Sequence, residues 1–185
     1  MRTVHDSLLT PRLALRRFTP ADFDLLGRLH SDPDVMRYVG GVKSRAEIEL
    51  LLTERILDYY AQYPGMGIWA TIERATGTCI GQHHLNHIHG ESIVQIGYLL
   101  FPEHWGRGHA TEMSVRLLRY GFGELGIERI AGVTELANVD SQRVLLKSGL
   151  MRDGERTFAH PAYGGEPLAW FDRDAPSWLA ERGET

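Results

Sequence analysis

The sequence has few features that would place the protein outside a reducing compartment. Its 185 residues include a single cysteine, Cys79, which excludes an internal disulfide bridge. No stretch approaches the roughly 18 apolar residues that a membrane-spanning helix needs, and residues 1–13 lack the apolar core of a signal peptide. We therefore expect a cytoplasmic protein without a membrane partner. Cys79 lies in an apolar strand pattern with no basic neighbour, so we do not expect it to act as a nucleophile.

The sequence also lacks a strong charge of either sign. Its formal net charge is -4 and its isoelectric point is near 6.1, so it carries no electrostatic footprint for nucleic acid or an anionic membrane. Hydrophobic residues make up 43% and charged residues 24%, as in ordinary globular proteins. No repeat, low-complexity tract or linker divides the sequence. Length and composition predict one domain over residues 1–185.

The hydrophobic pattern predicts a mixed α/β fold. Alternation at residues 13–16 indicates a first strand, and capping signals at Thr19 and Ser44 begin two amphipathic helices. From Gly67 the period changes to two, and turn residues divide the stretch to Phe101 into an antiparallel meander. We then expect a helix at 110–124, a strand at 130–133, a helix at 138–148, and strands near 151–158 and 168–171.

The strand, helix and strand between residues 92 and 135 require a parallel crossover in an otherwise antiparallel order. The parallel strands can separate where a bulge interrupts their pairing, and Gly97 is the candidate position. Unpaired backbone groups of Leu99 and Phe101 would then bind a thin ligand in the gap as an added strand does. An uninterrupted strand is the alternative.

The most informative stretch runs from Ile93 to Glu112, where an apolar strand leads into a glycine-spaced turn that opens a helix. Gly106 and Gly108 lack the Cβ atoms that would hold a bulky anion away from the backbone, and both can adopt positive φ. The free N–H groups and the positive dipole end of the helix face the same loop. This pattern predicts an anion site suited to a pyrophosphate. A plain strand, turn and helix is the alternative interpretation.

Two familiar phosphate motifs fit this stretch poorly. A nucleotide P-loop needs Lys and then Ser or Thr directly after its last glycine, but a His-Ala pair follows Gly108. A dinucleotide fingerprint needs a third glycine where Thr111 stands, and an acidic residue about 20 positions further on. Glu128 and Glu135 match that acidic position only loosely. Nucleotide-dependent redox chemistry therefore ranks low.

The sequence Trp-Gly-Arg-Gly-His-Ala at residues 105–110 resembles the acetyl-coenzyme A loop of the GNAT acetyltransferase superfamily, Q/R-x-x-G-x-G/A. Trp105 stands where that loop usually has Gln or Arg. Residues 110–112 and the pattern N-x-x-S-x-x-V-x-x-K-x-G-L at 138–150 are similar to the branch that acetylates the N-termini of ribosomal proteins. The opening T-P-R-L-x-L-R at residues 10–16 resembles the first strand of that branch.

This resemblance implies a mixed, mostly antiparallel sheet of six to seven strands, flanked by helices and splayed between strands 4 and 5. It also implies an N-acetyltransferase that uses acetyl-CoA as co-substrate and needs no metal. The acceptor would be a primary amine of an N-terminal peptide, an amino acid or a polyamine. The oligomeric state stays open, with a homodimer among the alternatives.

The resemblance also implies roles for individual residues on the donor side. Asn138 would hydrogen-bond the pantetheine arm, and Ser141 would protonate the departing thiolate, although either could instead cap a helix. A backbone amide near Leu99 could polarise the thioester oxygen. The full donor-binding set comprises Leu99, Leu100, Phe101, Trp105, Gly106, Arg107, Gly108, His109, Ala110, Thr111, Asn138, Ser141 and Lys147.

Acetyl transfer to an amine also needs an uncharged nucleophile and hence a base. Many GNAT members carry Glu on the fourth strand, where this chain has Gln95, which cannot accept a proton. The candidate catalytic bases are His83 and His84, which alternate on the preceding strand. His87 and Glu135 are further candidates, and each histidine could instead have a structural role.

The basicity of the amine bears on which kind of acceptor the protein uses. Neutralising a lysine amine with a pKa of about 10.4 near neutral pH costs about 4 kcal/mol, whereas an α-amine with a pKa near 7.8 costs well under 1 kcal/mol. A weak base therefore favours an α-amine. The pocket for this amine would be lined by Tyr38, Trp69, Gln95 and Tyr98, although aromatic residues at these spacings could belong to the core instead.

Two further alternatives concern metal binding and turnover. His83, His87, His89 and Cys79 lie on one strand, but they would spread over some 13 to 20 Å, too far apart for a zinc site. A coenzyme A-binding module without turnover is the main competing function. It is favoured by Gln95 in place of an acidic base and by Trp105 in place of the usual loop residue.

Overall fold

A computed structural model describes residues 8–183 of the chain. Residues 1–7 of the stretch examined for a signal peptide therefore lie outside the described residues. The strands are β1 (Leu13–Arg17), β2 (Gly67–Glu73), β3 (Cys79–His87), β4 (Val94–Leu100), β5 (Arg129–Glu135), β6 (Met151–Arg156) and β7 (Leu168–Asp174). The helices are α1 (Phe23–His30), α2 (45–62), α3 (His109–Arg119), α4 (Val139–Lys147) and α5 (Ala175–Glu181), with short 3-10 turns at Pro20–Asp22, Pro102–His104 and Pro161–Tyr163.

Two helices contain π-helical stretches that the sequence pattern did not predict. Helix α2 consists of Arg45–Leu50, a π-helical middle at Leu51–Asp58, and a final turn at Tyr59–Gln62. Helix α3 continues into a π-helical turn at Tyr120–Glu124. The predicted helices at these positions are therefore present, with local widening that the spacing of apolar residues does not reveal.

The strand order agrees with the predicted topology. The sheet runs β1-β2-β3-β4-β5-β7-β6, and every neighbouring pair is antiparallel except β4 and β5. That parallel pairing comprises only Gln95 with Ala131, so the two strands separate beyond it. The prediction of a mostly antiparallel sheet splayed between strands 4 and 5 is confirmed.

The predicted bulge at Gly97 is wrong. The pairing of β3 with β4 runs without a register shift from Gly81 with Leu100 to His87 with Val94. Gly97 instead makes room for a neighbour, because a Cβ at this position would lie 2.3 Å from Nε2 of His84. The strands separate because β5 diverges after one pair, so β4 needs no extra residue.

The backbone groups predicted to face the gap are also the wrong ones. Leu99 and Phe101 point toward β3: the Phe101 N–H donates to the Ile80 carbonyl at 3.0 Å, and a Cβ on Gly81 would meet the Leu99 oxygen at 2.2 Å. Because successive residues of a strand direct their backbone groups to opposite sides, Tyr98 and Leu100 are the residues that face the gap. The sequence pattern does not determine which of two successive residues directs its backbone groups to the gap.

The helix ends follow capping signals in the sequence. Ser44 and Glu47 form the predicted capping box, with the Glu47 carboxylate accepting from the Ser44 N–H at 2.8 Å. Gly149 follows α4 with a φ of 95°, as predicted for a helix end. Helix α5 was not predicted, although Asp174 caps it by accepting from the Ser177 N–H at 2.9 Å.

Helices cover both faces of the sheet. On one side α1 packs through His30, whose Nε2 lies 3.1 Å from Oε1 of Gln82; we call this side, which α2 also covers, the α2 face. On the other side a Cβ on Gly132 would lie 2.6 Å from Leu145 of α4; we call it the α4 face. Among residues 8–183, no helix is both long and apolar enough to cross a bilayer.

Candidate active site

The glycine-spaced loop after β4 has the conformation that the sequence predicts. Gly106 and Gly108 have φ values of 70° and 78°, which favour glycine strongly. Gly108 is the N-cap of α3 and supplies no capping side chain. The helical bonding starts with the Glu112 N–H donating to the Gly108 carbonyl at 3.0 Å. The N–H groups of residues 109–111 precede that bond, so the loop opens onto free donors at the positive end of the helix.

Thr10 and Arg12, just before β1, form hydrogen bonds that hold this loop in place. Arg12 donates from Nη1 to the Arg107 carbonyl at 2.8 Å and from Nε to the Glu112 carboxylate at 2.6 Å. The Thr10 hydroxyl donates to the same carboxylate at 2.5 Å. Burial acts to raise the pKa of Glu112, but the hydrogen bonds from Thr10 and Arg12 outweigh it and leave the pKa below its ordinary value. The sequence analysis assigned no site role to Thr10 or Arg12.

The side chain of Trp105 folds back from the loop onto the end of β4. Its indole is half exposed, and its Nε1–H donates to the Leu100 carbonyl at 2.7 Å. The side chain therefore occupies one of the backbone acceptors that face the gap between β4 and β5. The side chains of Arg107 and Lys147 are exposed, and their contacts with a donor stay predictions.

Helix α4 meets β4 where the sheet splays. Asn138 caps α4 by accepting from the Ser141 N–H at 3.1 Å, which is the capping alternative raised for this residue. The Ser141 hydroxyl lies near that of Tyr98 and acts to lower the pKa of the phenol. Burial acts more strongly in the opposite direction and raises the pKa of Tyr98 to about 12. Two hydroxyl groups thus lie together beside the open edge of β4.

The two candidate bases have different environments. His83 is completely buried, with Nδ1 2.7 Å from the Thr71 hydroxyl, and burial lowers its pKa to about 3. His84 lies on the α2 face, packs over Gly97 and retains some exposed surface. Burial, assisted by the charge of Arg55, lowers the pKa of His84 to about 4. Only His84 of this pair is accessible to a substrate.

A cavity of about 440 Å³ opens beside α2 and the end of β3, and we call it the α2-face cavity. The Tyr59 hydroxyl lies 2.7 Å from Nδ1 of His87 and accepts from the His87 N–H at 2.9 Å. The ring of Tyr63 lies 4.6 Å from that of His87. The side chains lining this cavity include Glu54, Arg55, Tyr59, Tyr63, His87 and Glu91.

The residues predicted to line the acceptor pocket do not all have exposed surface. Trp69 is only 1% exposed and packs in the main core, so its predicted contact with an acceptor is wrong. Gln95 is buried on the α2 face, and its side chain hydrogen-bonds to Tyr163. Tyr38 and Tyr98 are partly exposed. Sequence reasoning missed Arg55 and Tyr163, because neither belongs to a recognisable motif.

The part of the chain that the structure describes contains no group of three or more His, Cys, Asp or Glu side chains arranged to hold a metal ion. The histidines of β3 instead contact tyrosine, threonine and glycine neighbours. The polar groups beside the gap are hydroxyls, amides and imidazoles. They suit proton transfer and hydrogen bonding to an uncharged carbonyl.

The fold and the loop define a class of protein in which a helix N-terminus opens beside a splayed pair of parallel strands. A family model described as an acetyltransferase (GNAT) domain matches residues 12–151. The chain therefore belongs to the GNAT acetyltransferase family. The match extends from Arg12, which contacts the loop, to the first residue of β6, and so includes the loop, β4, β5 and α4.

Individual relatives agree with this assignment. The chain is 34% identical over 152 residues to the uncharacterised N-acetyltransferase YoaA of Bacillus subtilis, covering 80% of this chain and 84% of that protein. The crystal structure of an acetyltransferase from Agrobacterium tumefaciens is 26% identical, with a TM-score of 0.75 and coverage of 90% and 92%. A spermidine N-acetyltransferase from Vibrio cholerae, solved with CoA and spermine, is 18% identical with a TM-score of 0.71 and coverage of 92% and 99%.

Proposed function

We propose that this GNAT protein transfers an acetyl group from acetyl-CoA to the primary amine of a protein N-terminus or of a small molecule. The observation that carries the proposal is the open mouth of α3, where Gly106 and Gly108 hold left-handed conformations beside the point at which β4 and β5 separate. An anion bound at this mouth would lie at the end of a gap that leads through the sheet to the α2 face.

The backbone would supply most of the donor binding. The N–H groups of residues 106–111 suit a diphosphate, because free donors and the helix dipole both favour negative charge there. The backbone of Tyr98 faces the gap and suits a pantetheine amide or the thioester oxygen. Asn138 already uses its side-chain oxygen as a helix cap, so its amide NH₂ group is the part left for the donor.

The transfer needs two proton movements. The amine nitrogen forms a bond to the thioester carbon, the carbon–sulfur bond breaks, the amine loses a proton and the thiolate gains one. Ser141 would pass its hydroxyl proton to the thiolate and regain one from water, so that no alkoxide remains, and Tyr98, which stays protonated at neutral pH, would support it by hydrogen bonding. His84 is neutral at that pH and can accept the amine proton, directly or through water.

The weakness of this base supports an α-amine as acceptor. A histidine with a pKa of about 4 assists little with an amine that is almost fully protonated, whereas an α-amine is partly neutral without help. The pattern over residues 138–150, which resembles the ribosomal-protein branch of the family, supports the same class of acceptor.

One observation favours a second candidate, a coenzyme A-binding module without turnover. The position that is an acidic base in many relatives is Gln95, and here its side chain is buried and bonded to Tyr163. The two functions differ in a direct measurement. Release of free thiol from acetyl-CoA, tested with peptide, amino acid and polyamine acceptors, is expected for the enzyme. Tight CoA binding without thiol release for any amine would identify the module.

Ser141→Ala tests the proposed proton donor. We expect kcat to fall about 10- to 100-fold, because a thiolate is a good leaving group and needs only part of the help that a positioned acid gives. The dissociation constant for CoA should change little. Both quantities can be measured by thiol release and calorimetry.

Ser177→Ala is the matched control. Ser177 occupies the same third position of α5 that Ser141 occupies in α4, so both substitutions remove a hydroxyl from a first helical turn. The control should leave kcat unchanged. Equal turnover for Ser141→Ala and the wild type would remove Ser141 from the mechanism.

A further inference from the structure

Arg55 is an unusual cation in the wall of the α2-face cavity. It is partly buried, and its Nη2 donates only a long hydrogen bond, 3.4 Å, to the His87 carbonyl. Its guanidinium carbon lies 5.8 Å from the centre of the Tyr59 ring. Within residues 8–183 no carboxylate forms an ion pair with it. A partly buried guanidinium normally has an anionic partner.

The charge of Arg55 reaches the polar groups around it. It acts to lower the pKa of His84, His87 and His89, after burial, which is the larger cause for each. Lys43 adds a second positive charge near His89. The acidic residues of the same cavity, Glu54 and Glu91, are exposed, where water screens their charge.

Arg55 also lies on the side of the sheet where an acceptor would enter. His84, which responds to its charge, packs directly over Gly97 of β4. Gln95, two residues earlier, is the last point at which β4 pairs with β5. Tyr163, whose hydroxyl contacts Gln95, also lies within the electrostatic reach of Arg55. The charge of Arg55 therefore acts on His84 and Tyr163, which lie beside the point where the two strands separate.

We infer that Arg55 binds a carboxylate of the acceptor, so that the preferred substrate is a primary amine that also carries a carboxylate. The inference rests on the proposed acetyl transfer and narrows its substrate class. A guanidinium binds a carboxylate through two parallel hydrogen bonds, and the neutral His84, on which its charge acts, can serve the amine. Polyamines are disfavoured, because a second cation would meet the charges of Arg55 and Lys43.

The carboxylate could belong to a free amino acid or to an acidic side chain of a peptide. Paired substrates distinguish these two sources. Serine and serinamide differ only at the carboxylate of a free amino acid. The peptides Ser-Asp-Gly and Ser-Asn-Gly, both amidated at the C-terminus, differ only at an acidic side chain beside the N-terminal amine. Spermidine serves as the cationic probe. Serinamide has the less basic amine and is more often uncharged, so a preference for serine cannot arise from the amine itself.

The wild-type protein should show a kcat/KM at least about tenfold higher for the acidic member of one pair than for its amide, a ratio typical of a charge-assisted contact. Arg55→Gln should reduce that ratio to near one, and Arg55→Lys should retain part of it. Arg45→Gln is the matched control, because Arg45 begins the same helix but is exposed and stacks on Phe23. Its ratio should equal that of the wild type.

Thermal unfolding of each variant checks the fold, and calorimetry of serine and serinamide in the presence of CoA measures acceptor binding without turnover. Serine binding that depends on Arg55 supports the inference even if no amine releases thiol, a result that would refute only the proposed transfer. Equal acid-to-amide ratios for the wild type and Arg55→Gln, or a preference for spermidine, would overturn the inference while transfer itself stood.

Discussion

The donor loop and the α2-face cavity are built in opposite ways. The loop consists of consecutive residues 105–111 and presents backbone groups, whose directions are set by Gly106 and Gly108. The cavity takes its side chains from α2, from the end of β3 and from the turn that follows. The loop can therefore be recognised in a sequence, whereas the cavity exists only after the chain has folded.

The two regions also differ in how they handle charge. The mouth of α3 attracts an anion through aligned peptide dipoles, which need no buried ionised group. The cavity instead holds a partly buried guanidinium beside His87, whose pKa is lowered mainly by burial. This contrast indicates that the proposed donor site would need few specific side chains, while the proposed selection of the acceptor would depend on individual ones. Substitutions in the two regions should have separable effects.

The largest effect should come from Gly108→Trp. Gly108 has a φ of 78°, which an L-residue adopts with strain, and the indole would fill the mouth of α3. We expect CoA binding to fall by more than about 100-fold, equivalent to about 3 kcal/mol. Calorimetry with CoA measures the loss.

Gly126→Trp provides the control for strain. Gly126 has a similar φ of 67° and open space around the position of a Cβ, but it lies in the turn before β5. Its CoA affinity should match the wild type. CoA affinity that survived in Gly108→Trp would contradict the assignment of the loop as the diphosphate site.

An intermediate effect, confined to the acceptor side, should come from Gly97→Ala. The new methyl group would lie 2.3 Å from Nε2 of His84, so the imidazole must move. We expect kcat/KM for the acceptor to fall about tenfold with a loss of about 1 to 3 kcal/mol in stability, the usual range for overpacking. CoA affinity should stay within about twofold of the wild type, a negligible free-energy change.

Gly27→Ala is the matched substitution in α1, where a Cβ meets nothing within 4 Å. It should raise stability by about 0.5 to 1 kcal/mol through helix propensity and leave kinetics unchanged. Wild-type acceptor kinetics in Gly97→Ala would show that His84 has no part in the reaction.

The smallest effect should come from Arg12→Ala. Arg12 joins the Arg107 carbonyl to the Glu112 carboxylate, but its side chain is 48% exposed, so the ion pair is worth at most about 1 kcal/mol. We expect CoA binding to weaken about two- to fivefold, within that limit. Arg16→Ala, which removes from β1 a comparably exposed partner of Asp22, should leave CoA affinity unchanged.

The sequence revealed the donor side because its signals are local. Two glycines, an apolar strand before them and helical spacing after them suffice to predict an anion site. The antiparallel meander and the parallel crossover also followed, because turn residues and periodicity change together at Gly67 and Phe101. The sequence did not predict which backbone groups of β4 face the gap. Leu99 and Phe101 were assigned to the gap, but a one-residue difference in parity turns them toward β3.

The acceptor side could not be derived in the same way. Arg55 lies on a helix whose pattern indicates only an amphipathic surface, and Tyr163 lies in a turn between β6 and β7. Their meeting depends on the tertiary fold, for which a single sequence offers no local signal. Trp69 was assigned to the pocket because aromatic residues suit both cores and binding sites, and its burial of all but 1% decides the matter.

A crystal structure of the protein with acetyl-CoA tests the central claim most directly. The account predicts that the diphosphate lies within about 3 Å of the amide nitrogens of residues 106–111, with the thioester between β4 and β5 near Tyr98. A complex in which the diphosphate binds elsewhere, while the mouth of α3 is filled by side chains or water alone, would contradict it.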